Sequence, residues 1–337
     1  MEGRHLPLEL VLNIITCSLP SSDVILPPHH DVTEALLTWT LVCHETRRLA
    51  SRYLRERCVY LNSSEGLGAY LLAIKEDPGL RNATVVSLSP FKYTIDDLPV
   101  CSWVRELFNY TCGTLRRLVI DIPLRSLYPE DDHMGVRRVL REGFERLENL
   151  EEFVSTRDEL YLEVTEDGRH PAVWASWRKL KRLALYNVDL TYFFFRDLAC
   201  LGHLETLVLS RSDGNNESVD EWAEYFKLTD RPFKLLMLGS ERARMVPDYL
   251  LSGRIKNRAE VADVPMIQSV WLHHTVDFQI EECQEFVREH AEDGTLWNLD
   301  EKTIPCNARP HVDEPYLAQL GKHWLMLDQR RRAWSVD

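Results

Sequence analysis

Eight short triplets of the form apolar–x–apolar recur along this chain at intervals of 24–35 residues. They are Val59-Tyr60-Leu61, Val86-Ser87-Leu88, Leu118-Val119-Ile120, Phe153-Val154-Ser155, Leu183-Ala184-Leu185, Leu207-Val208-Leu209, Leu236-Met237-Leu238 and Val270-Trp271-Leu272. Such a period restricts the chain to folds built by adding like units, each too small to bury its own apolar face. Leu115-x-x-Leu118-x-Ile120, Leu180-x-x-Leu183-x-Leu185 and Leu204-x-x-Leu207-x-Leu209 share the pattern L-x-x-L-x-L, and Leu150-x-x-Phe153 matches it in part. Helical apolar spacing fills the gaps, as over 136–147 and 190–201.

One short strand plus one helix per unit resembles the leucine-rich repeat. The intervals run past the usual ~20–29 residues, so the expectation is an irregular solenoid over 61–300 with a parallel sheet on its concave face. A parallel sheet in an ordinary α/β domain is the alternative. The L-x-x-L-x-L pattern, without a Gly-rich phosphate loop, favours the solenoid. Alternate strand residues point outward. The expected outward set is Arg117, Val119, Asp121, Arg182, Ala184, Tyr186, Val208, Ser210, Met237, Ser269, Trp271 and His273. Of these, Arg182, Tyr186, Ser210, Trp271 and His273 are the candidates for binding a target protein, since Trp, Tyr and Arg anchor partner surfaces. Trp271 packed beneath the C-terminal segment is an equal reading.

Residues 1–60 form a separate helical module. Leu6-Pro7-Leu8-Glu9-Leu10 opens a helix with Pro7 at its first position, and Leu10, Val11, Ile14 and Ile15 continue an apolar stripe up to Pro20. A turn-rich loop covers 20–31. Asp31 or Thr33 then caps a second helical stretch to about Arg57, broken near Cys43.

Leu-Pro-x-Glu-Leu, the apolar helix, and Leu41-Val42-Cys43 followed by Arg47-Arg48-Leu49-Ala50 resemble an F-box over residues 5–50. The run Cys-His-Glu-Thr-Arg-Arg-Leu-Ala and the Pro-rich loop are similar to divergent F-box proteins of filamentous fungi. The loop is longer than in the usual F-box, and Thr46 stands where many carry Trp. The resemblance implies an α/β chain: an N-terminal F-box-like module, the repeat region, and a capping segment over 301–337. It further implies a substrate-recognition subunit of a Skp–cullin–F-box ubiquitin ligase. Leu6, Pro7, Leu10, Ile14, Leu41, Val42 and Cys43 would bind the Skp adaptor, and cullin through it. A helical cap with this stripe packed inward, on a stand-alone repeat scaffold, is the rival reading.

The net charge of −13 argues against general nucleic-acid binding. No apolar run reaches transmembrane length and no signal peptide opens the chain, so no membrane partner and a cytoplasmic or nuclear location are expected. The eight scattered cysteines read as reduced, mostly buried thiols. Residues 277–301 hold nine acids against Arg288 and suggest an amphipathic helix through Ile280, Cys283, Phe286, Val287 and Ala291. Leu317, Leu320, Trp324, Leu325 and Leu327 suggest a final capping helix. The pairs His29-His30 and His273-His274 lack the spacing of a metal site. No residue stands out as nucleophile, base or ligand, so neither catalysis nor a cofactor is expected. An enzyme assembled from distant positions remains the third hypothesis.

Overall fold

The computed structural model describes residues 6–22, 24–165, 170–212, 234–238, 267–270 and 279–299. Three helices come first: α1 (Leu8–Cys17), α2 (Asp31–Trp39) and α3 (His44–Arg57). Then β1 (Val59–Leu61), α4 (Ser64–Glu76), β2 (Val85–Leu88), α5 (Leu98–Thr111), β3 (Arg117–Ile120), α6 (Val136–Phe144) and β4 (Glu152–Ser155) follow. The rest comprises β5 (Arg182–Tyr186), α7 (Tyr192–Leu198), β6 (Thr206–Ser210), β7 (Lys234–Leu238), β8 (Ile267–Val270) and α8 (Gln279–Glu292). The chain is therefore mixed α/β. The segments 301–337 and 271–278 lie outside the described residues, and with them the expected capping helix, Trp271, His273 and His274.

All eight strands pair in parallel, and their order across the sheet is their order in the chain. Each expected triplet falls on or overlaps a strand. Parallel sheets are stable when both faces are covered, and two clusters do this. On one face, Leu118, Ile120, Phe153, Leu183, Leu207 and Leu235 pack with α4, α5, α6 and α7 through Leu67, Val104, Phe144 and Leu198. Phe153 sits edge-on to Trp177 at 4.9 Å, a favoured aromatic geometry.

The second face corrects the expected open surface. Its middle row is Ser87, Val119, Val154, Ala184, Val208 and Leu236, each opposite the next. The five apolar members are buried beneath Ile25 from the 20–31 loop and Val287, Ala291, Leu296, Trp297 and Leu299 from α8 and the turn after it. An apolar row of small side chains invites such a cover. Burying a Val- or Leu-sized side chain contributes about 1.5–3 kcal/mol. Four large side chains of the covering segment thus supply a gross stabilisation comparable with the ~5–15 kcal/mol stability of a whole domain. The cover is part of the fold and not a movable lid. The expected stripe of α8 holds at Cys283, Val287 and Ala291, while Ile280 is exposed.

The register also corrects the expectation at β7. Leu235 pairs with Leu207, Leu236 with Val208 and Met237 with Leu209. Ser269 pairs with Met237. Residue 236, not 237, shares the row of Val208, and a one-residue slip exchanges the two faces. The expected outward set, which counts residue 237 with Val208, is thus one residue out of register at this strand.

At the start of the strands the covered face carries charge. Arg117, Glu152 and Arg182 are successive neighbours in the ladder. Arg117 Nε donates to Glu152 Oε1 at 2.8 Å, and Arg182 Nη2 lies 2.9 Å from Glu152 Oε2. Both partners of the first pair are almost fully buried. Arg117 also donates to Ser22 O at 2.9 Å, and the Arg182 guanidinium lies 5.6 Å from the centre of the Trp297 ring. Two beyond Arg182 in the row, Lys234 Nζ donates to the carbonyls of Trp297 and Leu299 at 3.0 and 3.1 Å. These cations tie the 20–31 loop and the covering segment to the sheet.

Removing one partner of a buried pair strands the other charge, at about 3–5 kcal/mol. Glu152→Ala should lower unfolding stability by about that amount in urea titration, and by far more than Glu151→Ala in the exposed pair with Lys181.

Candidate functional site

The N-terminal helices enclose a small core of Ile15, Leu26, Leu36 and Ala50, bordered by Val11, Leu12, Trp39, Leu49 and Tyr53. Pro7 stands at the N-cap of α1, one residue before the expected position. His30, not Asp31 or Thr33, caps α2, its Nδ1 accepting the Val32 N–H at 3.1 Å. Thr33 is buried and donates to Pro27 O at 2.9 Å.

Only half of the apolar stripe of α1 enters this core. Leu6, Pro7, Leu10 and Ile14 are exposed, while Ile15 is buried. Leu10 and Ile14, four residues apart, lie on one edge of the helix, and Leu6 precedes its N-cap. At the α2–α3 junction, Leu41 is 85% exposed, and Leu37, Val42 and Cys43 are also exposed. Scattered exposed apolar residues are ordinary, but clusters mark contact sites. Seven of the fifteen exposed large apolar side chains among the described residues fall within residues 6–42. The expected adaptor-binding residues Leu6, Pro7, Leu10, Ile14, Leu41, Val42 and Cys43 are thus all on the surface.

Thr46 holds this junction in place. Its hydroxyl accepts the Cys43 N–H at 3.0 Å, closing a reciprocal cap at the start of α3. The same hydroxyl lies 3.4 Å from Cys43 Sγ and, with the Thr46 N–H, lowers the thiol pKa. Of the seven described cysteines only Cys101 and Cys283 are buried, so the expectation of mostly buried thiols fails; all seven are free.

The module is bound firmly to the sheet. α3 runs almost directly into β1, and the boundary expected between residues 60 and 61 falls inside that strand. Thr84 N–H donates to Glu56 O at 3.0 Å and Ile25 N–H to Glu292 O at 2.7 Å. The long 20–31 loop makes the second contact.

The expected target-binding residues fare differently. Tyr186 and Ser210 face the covered side and are buried; burial raises the Tyr186 pKa. Arg182 is partly buried in its ion pair with Glu152. The cover takes Tyr186 and Ser210 off the open surface and leaves Arg182 partly exposed. Trp271 and His273 lie outside the described residues.

The loops leaving the far ends of β2, β3 and β4 form a second surface that the sequence reading did not single out. Arg137 of α6 is wholly buried. It donates to the carbonyls of Leu124 at 3.1 Å and Tyr161 at 2.8 Å, and also to those of Leu127 and Glu163. Asp158 is also buried and accepts N–H groups of Leu124 (3.1 Å), Leu160 (2.8 Å) and Tyr161 (3.3 Å). These bonds let Leu160 hold a left-handed backbone with φ 64°. Among the described residues no group of three or more His, Cys, Asp or Glu could hold a metal ion, and no helix is long and apolar enough to cross a membrane. Compared with known proteins, the chain matches no family model, no curated protein and no solved structure.

Burial, with Glu159 beside it, raises the Asp158 pKa to about 7 in spite of the three N–H donors. An unfolded Asp titrates near ~3.9. Between these values the folded chain holds a proton that the unfolded chain releases, so this contribution to stability falls as pH rises toward about 7. Wild type minus Asp158→Asn, in melting temperature, should therefore decrease from pH ~4.5 to ~7.5; a pH-independent difference would refute the assignment.

Proposed function

We propose that this chain is a non-catalytic substrate receptor of a Skp–cullin–F-box ubiquitin ligase. The N-terminal module docks on the Skp adaptor, and the irregular leucine-rich-repeat-like region carries the target. The observation that supports this best is the division of α1 and the α2–α3 junction. One side fills a core, while Leu6, Pro7, Leu10, Ile14, Leu41, Val42 and Cys43 stay in water. A cap whose only task was to close the repeats would turn that stripe inward. An amphipathic helix with an exposed apolar edge suits a helix-in-groove contact. The chain-ordered parallel sheet suits a solenoid, in which units are added in one direction. Firm attachment of the module to the sheet suits a receptor that must hold a target at a fixed distance from the ligase, where proximity raises the effective concentration of target lysines.

The test is co-expression with a fungal Skp adaptor followed by size-exclusion chromatography. Wild type should co-elute. The Leu10→Asp, Val42→Asp double variant should lose affinity by roughly a hundredfold or more, because each change places a carboxylate in an apolar contact. Both positions are exposed, so the variant's circular dichroism and melting temperature should match wild type. Failure of folded wild type to co-elute would refute the reading and favour the stand-alone scaffold.

A further inference from the structure

With the sheet face closed by α8, another surface must receive the target if the receptor reading holds. Three loops at the far ends of the strands, 89–97, 121–135 and 156–165, are fastened to one another. Ile95 N–H donates to Ser126 Oγ at 3.1 Å, joining the first two. Leu124 N–H donates to Asp158 Oδ2 at 3.1 Å, joining the second and third. Arg157 pairs with Asp121 and reaches Lys92 O at 3.4 Å, crossing all three. Arg125 Nε donates to Glu159 at 3.1 Å, and Tyr128 packs edge-on to Tyr161 at 6.2 Å. With its 3-10 turns at Leu124–Ser126 and Pro129–Asp131, the middle loop is stiffened together with its two neighbours.

On this stiff frame, large side chains stand in solvent. Tyr93 is 87% exposed, and Tyr128 and Met134 are about half so. Tyr93 and Tyr128 each lie two residues from the Ile95–Ser126 bond, so they belong to adjoining parts of the rim. Aromatic side chains on a pre-ordered backbone anchor partners at low entropic cost. The charge around them is one-sided. The loops' two arginines are taken up by Glu159 and Asp121. Asp96, Glu130 and Asp131 are exposed and have no cation paired to them among the described residues, against a single exposed lysine, Lys92.

We propose that this rim is a docking platform for a basic peptide segment of the target. Tyr93, Tyr128 and Met134 would take its apolar stems and lie beside its cations, while Asp96, Glu130 and Asp131 supply the complementary charge. The inference rests on the receptor reading only in calling the bound chain a target.

The probe is a labelled peptide repeating Lys-Ser-Leu, with a Glu-Ser-Leu counterpart, measured by fluorescence anisotropy at physiological ionic strength. The basic peptide should bind the full chain and the acidic one should not. Tyr93→Ala with Tyr128→Ala, and separately Asp96→Lys with Asp131→Lys, should each weaken binding about tenfold. Glu281→Lys with Glu289→Lys, on exposed positions of α8, changes the net charge equally and should alter binding less than about twofold. Absence of basic-peptide binding, equal binding of the acidic peptide, or equal loss in the α8 control would overturn the proposal. The rim variants are also run against the Skp adaptor and should co-elute as wild type does. Adaptor binding without peptide binding refutes the platform alone. Rim-dependent peptide binding without adaptor binding upholds the platform and refutes the ligase role.

Discussion

This parallel sheet is buried on both faces, and the rest of the molecule follows from how the second one is covered. Helices between strands shield one side as a consequence of the connectivity. The other side receives nothing from the units themselves. Here it is closed by two segments from opposite ends of the described chain, the 20–31 loop and residues 279–299. Their backbone carbonyls at Ser22, Trp297 and Leu299 then lie over the strand starts, where Arg117 and Lys234 bond them. A cation there satisfies acceptors that would otherwise be desolvated without a partner. Glu152 between Arg117 and Arg182 keeps like charges from facing each other across the ladder.

The same arrangement explains why the N-terminal module need not swing. Its loop is an integral part of the cover, through Ile25 in the apolar layer and through Ser22 on Arg117. The length of that loop has a structural use: a shorter connection between α1 and α2 would lack the residues that reach the sheet. Thr46 likewise has a local role, as the reciprocal cap that sets the turn presenting Leu41, Val42 and Cys43.

The strands were legible because most alternate Leu, Ile, Val or Phe at period two toward the helices. The reading slipped where that contrast disappears. β7 runs Leu235-Leu236-Met237-Leu238, apolar on both sides, so alternation could not set its register. The cover was hidden for a different reason. Val119, Ala184 and Val208 were assigned to the outward side correctly, and their apolar character already called for a partner. What fills that role is distant in sequence, and periodicity does not record such pairings. Arg137, Glu152 and Asp158 were passed over because charged residues are mostly exposed; only the fold places them in a low-dielectric interior with partners on other units. The N-terminal set was legible because α1 carries more apolar surface than a three-helix core can absorb.

Closing the sheet face has a consequence for recognition. A solenoid with an open sheet can bind through strand residues, whose positions are fixed by the ladder. With α8 on that side, the surface left open consists of helices and loops, and loops ordinarily pay an ordering cost on binding. The buried pair of hubs at Arg137 and Asp158 removes much of that cost in advance. Arg137 gathers four carbonyls from the second and third loops, and Asp158 gathers three N–H groups from the same two. Burying an arginine and an acid to hold loops would be a poor way to add stability. It is a good way to specify one loop conformation, and a rim that keeps Tyr93 and Tyr128 in water on such a frame is more ordered than the fold alone requires.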